Sequence, residues 1–287
     1  MKKTLSSLLF LVALIATFSL GNLVLISQEE GAKDPQEAGS QIDPVSEQAA
    51  PLEGELGKYK PTTPEAAEVM VKLIDLYHEH GRVFGLIRVA QTFVATQPND
   101  ARHQPVMLKL IDGLQVMSRN KDLIVACRQY LERYASTPQV AQVEIRLTDA
   151  LMQTDDLLSS AKAAQAVWKR QGPNASGRRY GIAAINYFCS RLGGEHIKTG
   201  ADLAAEIFQR LPNGTYAREV GRRAYEEYYR SSQWASVVTL GGKLVQRNQL
   251  EDNVYRIRVL SGIAYAHGQL QQYRNAATAY QAARNVE

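Results

Sequence analysis

Apolar residues follow a helical period along most of the chain, and the pattern is clearest between residues 73 and 100. Leu73, Leu76 and Tyr77 stand at i, i+3 and i+4 ahead of Gly81, which places them on one face of a helix. A second helix is predicted from the positions Leu86, Ala90, Phe93 and Pro98. Because glycine and proline end helices, we expect two short amphipathic helices joined as a hairpin.

The spacing of this second helix recurs down the chain with offsets of 4, 7 and 12 residues. Its copies are Ala126, Tyr130, Arg133, Pro138; Ala161, Gln165, Trp168, Pro173; Ala201, Ala205, Phe208, Pro212, one residue short at the end; and, without a proline, Val237, Gly241, Leu244 and Ala276, Tyr280, Ala283. The first positions lie 40, 35, 40, 36 and 39 residues apart. A repeat of this length indicates about six helical hairpins.

These hairpins resemble the tetratricopeptide repeat, in which small residues, an aromatic residue and a proline recur at such offsets. The last copy also carries Gly262 and Tyr265 three residues apart, ahead of Ala276 and Tyr280. The resemblance covers residues 64 to 287 and implies an all-α fold, a right-handed α-α superhelix of about six hairpins. It also implies small residues where paired helices approach closely and aromatics between neighbouring hairpins. Another all-helical solenoid or an irregular helical bundle is the alternative.

The first 26 residues form the longest apolar stretch. Lys2 and Lys3 precede 23 uncharged residues that end at Ile26, enough to cross a hydrocarbon layer as a helix. We expect a retained signal anchor in a bacterial cell membrane, single-pass, with the repeat domain on the extracytoplasmic, periplasmic side. The alternative is a signal peptide cleaved before Asn22, which would leave a secreted protein.

Residues 27–63 are poor in aromatics and rich in Glu, Gln, Ser, Gly and Pro. Such a composition buries too little apolar surface to offset the entropy of ordering, so we expect a disordered acidic linker. Thr63 followed by Pro64 and Glu65 predicts an N-cap with proline at the first helical position. The folded domain is therefore predicted to begin at residue 64.

Charge is distributed unevenly. Net charge is −7 over residues 27–70, zero over 71–160 and +9 over 161–287. A basic half-solenoid behind an acidic linker favours attraction to an anionic partner or to the linker itself. The alternative is an ordinary solvated helix surface.

No catalytic, cofactor or metal site is predicted. Cys127 and Cys189 fall in helices of different hairpins, so we expect small buried apolar residues rather than a disulfide or a metal site. His78 and His80 are two residues apart and lack the i, i+4 spacing of a zinc-binding helix. Motifs for nucleophilic catalysis and for dinucleotide or haem binding are missing from the sequence.

Two classes of function remain. The first is a non-enzymatic scaffold for protein–protein interaction, whose concave helical groove binds a peptide or partner protein. The second is a cell-envelope enzyme or assembly, either with catalytic residues hidden among the repeats or with this chain as its non-catalytic repeat module. We favour the scaffold because no nucleophile, base and orienting group can be identified together. An exported location argues against nucleic acid as the partner.

The resemblance also indicates where a partner would bind, because first helices line the groove of tetratricopeptide repeats. The most polar and aromatic first helix covers residues 217–233. The candidate partner-binding residues are Arg178, Arg179, Arg218, Arg222, Tyr225 and Arg256. Guanidinium groups beside a phenol suit carboxylates, so an acidic segment is the expected ligand; ordinary exposed Arg and Tyr is the alternative.

The last predicted helix carries an apolar stripe of Ala276, Ala279, Tyr280 and Ala283. A terminal hairpin has no neighbour to cover its packing surface. We expect this edge to be covered by further repeats in a longer protein, or to pair with a partner or a second copy in self-association. The alternative is that small alanines expose too little area to matter.

Overall fold

The structure, a computed structural model, describes residues 44–211, 213–247, 250 and 252–286. In these ranges the fold is all-α, with thirteen α-helices, one π-helical turn and no strand, as predicted. The helices are α1 Pro44–Leu56, α2 Pro64–Glu79, α3 Val83–Thr96, α4 His103–Val116, α5 Asn120–Arg133, α6 Val140–Met152, α7 Leu157–Gln171, α8 Ala175–Asn186 with the π-helical turn Tyr187–Leu192, α9 His196–Arg210, α10 Thr215–Arg230, α11 Trp234–Gln246, α12 Asn253–Gln269 and α13 Tyr273–Arg284.

Helices α2 to α13 form six hairpins, and each helix packs on the next along the chain. Turns of three or four residues join the two helices of every hairpin, which makes them antiparallel. Gly81 provides a left-handed residue in the first of these turns, with φ of 64°. The predicted repeat array, an α-helical superhelix, is confirmed.

The predicted register of second helices is buried in the structure. Its small residues Ala90, Ala161 and Ala201 are 0% exposed. Phe93 and Trp168, the aromatics three or seven residues later, are likewise 0% exposed. The alanines let neighbouring helices approach, and the aromatic rings fill the space between them.

One expectation for the linker is wrong. Residues 44–56 form helix α1, which packs on α2. The physical reason is a helical face within an acidic composition: Val45, Ala49, Leu52 and Leu56 all pack into the core. Glu53 then accepts a hydrogen bond from the Tyr77 hydroxyl at 2.7 Å and pairs with Arg88. The rest of the predicted linker before residue 44, and the predicted anchor at residues 1–26, lie outside the described residues.

The predicted helix start at Pro64 is confirmed, but the folded domain begins earlier than predicted, with α1. The helix begins at Pro64, and the Thr63 side chain accepts a hydrogen bond from the Ala66 backbone N–H at 3.2 Å. This bond satisfies one of the N–H groups that a helix N-terminus leaves unpaired.

Across the described ranges, no helix is long and apolar enough to span a membrane.

The apolar stripe on α13 is largely used within its own hairpin. Ala276 and Ala283 are buried, and Ala279 packs against the core. Tyr280 is instead 48% exposed. Of the predicted apolar stripe, chiefly Tyr280 is left exposed for contact with a neighbour, because the alanines pack within the fold.

Candidate functional site

The first helices of the N-terminal hairpins are joined by a ladder of ion pairs. Each pair links a carboxylate on one first helix to a base on the next: Asp75 with Lys109, Asp112 with Arg146, and Asp149 with Arg179. The three aspartates are spaced 37 residues apart, one repeat each. This face of α2, α4, α6 and α8 is thus internally neutralised.

The ladder ends at α8. The position 37 residues after Asp149 is Asn186, an amide in place of a carboxylate. On α10 the Arg223 guanidinium donates to the Ser190 hydroxyl at 2.7 Å and pairs within its own helix with Glu227. The basic excess of residues 161–287 includes eight arginines on the first helices α8, α10 and α12.

Two clefts open between the first helices of the last three hairpins. The α8–α10 cleft has a volume of about 400 Å³ and is lined by Ile182, Asn186, Arg222 and Glu226, among others. The α10–α12 cleft has a volume of about 650 Å³ and includes Glu226, Arg258 and Tyr265. Because Glu226 lines both, the two clefts are adjacent on α10.

Arg222 and Tyr255 join α10 to α12 between these clefts. The Arg222 guanidinium carbon lies 4.6 Å from the centre of the Tyr255 ring, and its Nε donates to Glu226 Oε1 at 3.0 Å. Such stacking is favourable because the ring face is electron-rich. Burial raises the pKa of Tyr255, and its buried hydroxyl has no hydrogen-bond partner in the part of the chain that the structure describes.

Two further arginines lie near this stack along the helices, Arg218 one turn before Arg222 and Arg256 next to Tyr255. The Nε atoms of Arg218 on α10 and Arg256 on α12 are buried without a hydrogen-bond partner among the described residues. A terminal nitrogen of Arg218 donates to the Thr215 hydroxyl at 3.2 Å. Buried donors left unpaired are costly. Because these Nε atoms are inaccessible, a ligand from outside would reach the two guanidinium groups through their terminal nitrogens.

The two other predicted arginines are held locally. Arg178 donates from Nε to the Pro173 carbonyl oxygen at 2.7 Å and lies 5.4 Å from the Tyr216 ring centre. Arg179 belongs to the ion-pair ladder and lies over Tyr180. Neither is shown to join the Arg222 stack, although Arg178 does connect α8 with α10 through Tyr216.

Tyr225 was predicted to face a partner, and the structure buries it instead. It is 3% exposed, and its hydroxyl donates to the Val259 carbonyl oxygen at 3.1 Å. Burial raises its pKa, so the phenol stays neutral. The ring forms the base of the α10–α12 cleft, because the position on α10 points toward α12 rather than toward solvent.

Sequence reasoning missed an aromatic cluster at the same cleft. Ring centres of Tyr229, Trp234 and Tyr265 lie 5.4 to 6.0 Å apart, with Trp234 edge-on to both tyrosines. Tyr280 lines the cleft from α13. Tyr265 and Tyr280 were already part of the repeat motif, whereas Tyr229 and Trp234 come from two other helices and no sequence pattern joins them.

Buried groups elsewhere serve the fold. Glu227 is 0% exposed and pairs with Arg223 at 3.0 Å and with Arg230 at 3.2 Å, which compensates its charge. Cys127 and Cys189 are buried and unbridged, as expected, and burial raises the pKa of the Cys127 thiol to about 12. Within the described ranges, no group of three or more His, Cys, Asp or Glu side chains could hold a metal ion.

A larger opening lies between second helices α3 and α5. It has a volume of about 730 Å³, and its walls include Met107 and Leu110 of α4. His103 at its edge is buried, with Nδ1 2.7 Å from the Tyr134 hydroxyl, and desolvation lowers the pKa of the imidazole. Its Nε2 lies 3.3 Å from the Val94 carbonyl oxygen, so both ring nitrogens have partners within the fold.

Comparison with known proteins finds distant structural similarity only. No protein-family model and no curated protein matches the sequence. Among solved structures, the chain is similar to the crystal structure of MamA protein, at 14% identity over 77% of this chain and 91% of that chain, with a TM-score of 0.31. It is also similar to the apo form of RapI, at 9% identity over 83% and 90% with a TM-score of 0.36, and to BtubC (BKLC) from P. vanneervenii, at 12% identity over 85% and 91% with a TM-score of 0.33. Similarities this low say nothing about what the chain binds.

Proposed function

We propose that this protein is a non-catalytic scaffold that binds an acidic segment of a partner protein on the first-helix face of α8, α10 and α12. The observation that carries the proposal is the Arg222–Tyr255 stack beside the two clefts, with Arg218 and Arg256 near it along α10 and α12. Guanidinium groups bind carboxylates through paired hydrogen bonds, and peptide backbone carbonyls can accept from the remaining donors.

Charge along the array supports the same location. The ion-pair ladder neutralises the first helices up to α8, whereas net charge over residues 161–287 is +9. An acidic ligand would therefore be drawn to the C-terminal half of the array and away from the N-terminal half. This asymmetry favours one binding region over uniform attraction along the whole surface.

Binding of a defined peptide tests the proposal directly. A fluorescein-labelled octapeptide of glutamate and glycine should bind with an affinity that falls as salt is added, because exposed charge pairs are screened. The double variant Arg218→Glu and Arg222→Glu should lose this binding. Arg274→Glu with Arg284→Glu, an equal charge change on exposed α13, serves as the matched control and should retain it.

Two results would contradict the proposal: equal binding of a lysine–glycine octapeptide, or unchanged glutamate-peptide binding by the α10 double variant. A complementary experiment is crosslinking in the native membrane with identification of the captured proteins. An unchanged set of captured proteins in the α10 double variant would likewise count against the site.

We further propose that the repeat domain works outside the cytoplasm, tethered through residues 1–26. Support comes from the uncharged run that follows Lys2 and Lys3 and from its length. Protease added to spheroplasts should digest the repeat domain, with a cytoplasmic protein as the protected control. Full protection of the domain would overturn the assigned side, and release into the medium would favour signal cleavage.

A further inference from the structure

The α10–α12 cleft is lined by exposed phenol rings, two of which are held by contacts with other rings. Tyr229, Tyr265 and Tyr280 are 39%, 44% and 48% exposed, although each lies against neighbouring helices. Trp234 contacts Tyr229 and Tyr265 edge-on, at 5.7 and 5.4 Å between ring centres. Rings held by such contacts lose little freedom when a ligand binds, so the surface is preorganised.

The chemistry of this lining is aromatic and polar rather than aliphatic. Among the described residues that line the cleft are four tyrosines, two arginines, Glu226, Ser261 and Gly262, with no Leu, Ile, Val or Met. The hydroxyls of Tyr229, Tyr265 and Tyr280 donate no hydrogen bond to other described residues. Phenols can therefore present both a flat apolar face and a donor to the same ligand.

Gly262 makes the floor of the cleft close-fitting. A Cβ at this position would overlap the Tyr225 hydroxyl and lie 3.3 Å from the Tyr229 ring. Without that Cβ, α12 approaches α10 closely enough for the tyrosines of both helices to line one cleft. Arg258 stands at the rim, exposed and outside any ion pair among the described residues.

We propose that the α10–α12 cleft binds proline residues of an acidic peptide segment in the polyproline II conformation. Proline rings pack on aromatic faces, and the carbonyl groups of a polyproline II chain point outward, where phenol hydroxyls can donate to them. A docked amphipathic helix would need aliphatic anchoring surface, which this lining lacks. Arg222 and Arg258 complement acidic residues beside the prolines.

This inference rests on the proposed function, since it assigns a second subsite to the same ligand. Glu226 lines both clefts, so a peptide that contacts Arg222 continues directly into the tyrosine-lined cleft. The carboxylate of Glu226 is paired with Arg222 at 3.0 Å, which reduces its repulsion of an acidic ligand. The acidic residues of the peptide are attracted to the arginines, and its prolines pack on the tyrosine rings.

Three labelled peptides distinguish the proline subsite from the acidic binding site: EPPEPPE, EAAEAAE and GPPGPPG. Fluorescence anisotropy should show that EPPEPPE binds tightest. Tyr265→Ala and Tyr280→Ala should each weaken EPPEPPE binding by roughly three- to tenfold, the usual value of one aromatic contact, and leave EAAEAAE unchanged. Tyr273→Ala is the matched control, because Tyr273 is 70% exposed on α13 and outside the cleft lining.

Equal affinity of EPPEPPE and EAAEAAE for the unaltered protein would overturn the proline subsite and leave the acidic site standing. Binding of GPPGPPG that depends on Tyr265, with no binding of EAAEAAE, would support the proline subsite and refute acidic recognition. If none of the three peptides binds, both proposals fail. Tyr265→Phe keeps the ring, so it should retain most proline-peptide binding; a loss equal to that of Tyr265→Ala, in a variant with unaltered unfolding, would also refute ring stacking.

Discussion

The hydroxyl of Tyr225 on α10 donates a hydrogen bond to the backbone carbonyl oxygen of Val259 on α12, 3.1 Å away. Two first helices that are neighbours in space, but belong to successive hairpins, are thereby joined beneath the proposed peptide site. Tyr225→Phe keeps the ring and removes the bond. We expect the free energy of unfolding to fall by about 1 kcal/mol.

Urea unfolding measures this change. Tyr265→Phe removes a hydroxyl that is exposed and should leave stability unaltered, which makes it the control. A Tyr225→Phe protein as stable as the unaltered chain would show that the bond to Val259 contributes nothing net.

Adjacent glycines on α11 provide a second test of helix packing. A Cβ at Gly241 would lie 2.8 Å from Ile263 and 3.0 Å from the Tyr225 ring, whereas a Cβ at Gly242 meets nothing within 4 Å. Gly241→Ala should destabilise by roughly 1–3 kcal/mol through overpacking. Gly242→Ala should stabilise by roughly 0.5–1 kcal/mol, because alanine restricts the unfolded chain. Thermal unfolding of the two variants measures the difference. Equal changes in melting temperature would refute close packing of α11 on α12.

The turns inside the hairpins provide a third test, this time of backbone conformation. Gly81 and Ser232 both adopt positive φ, 64° and 57°, in equivalent turns. A side chain at Gly81 would meet nothing within 4 Å, so only the backbone conformation is at issue. Ser232→Gly should raise the free energy of unfolding by about 1 kcal/mol, and Gly81→Ser should lower it by a similar amount. Chemical denaturation should therefore show a higher free energy of unfolding for one variant and a lower one for the other. Changes of the same sign would contradict the left-handed turn.

Asp100 provides a pH-dependent prediction. Side-chain hydrogen bonds from Arg102, at 2.7 and 2.9 Å, are the main cause that lowers the pKa of this carboxyl to about 2. A lowered folded-state pKa means that the carboxylate stabilises the fold above its unfolded pKa of 3.8, and that this stabilisation is lost as pH falls toward about 2.

Asp100→Asn should therefore reduce stability at pH 6, and the difference from the unaltered protein should shrink as pH falls from about 4 to about 2. Urea unfolding across this pH range measures it. Asp155→Asn, at an exposed position, is the control. A difference that stays constant with pH would show that the Arg102 contact does not favour the charged carboxyl.

The sequence by itself determined the helical hairpins, because the signals that define them are local. Apolar spacing, Gly81 and the Thr63–Pro64 pair act within a few residues of themselves, and the structure has helices that begin and end accordingly. The repeated small residues and several of the aromatic residues were also predicted to be buried, and Ala90, Phe93, Ala161 and Trp168 are 0% exposed.

Tertiary structure alone decided helix α1, the burial of Tyr225 and the composition of the two clefts. α1 is acidic on average, and its apolar face contributes only when α2 is there to cover it. The Arg222–Tyr255 stack and the ring cluster around Trp234 join residues from different helices. Such contacts depend on how far one hairpin is rotated against the next, and that rotation results from side-chain packing across the whole interface, which local spacing does not encode.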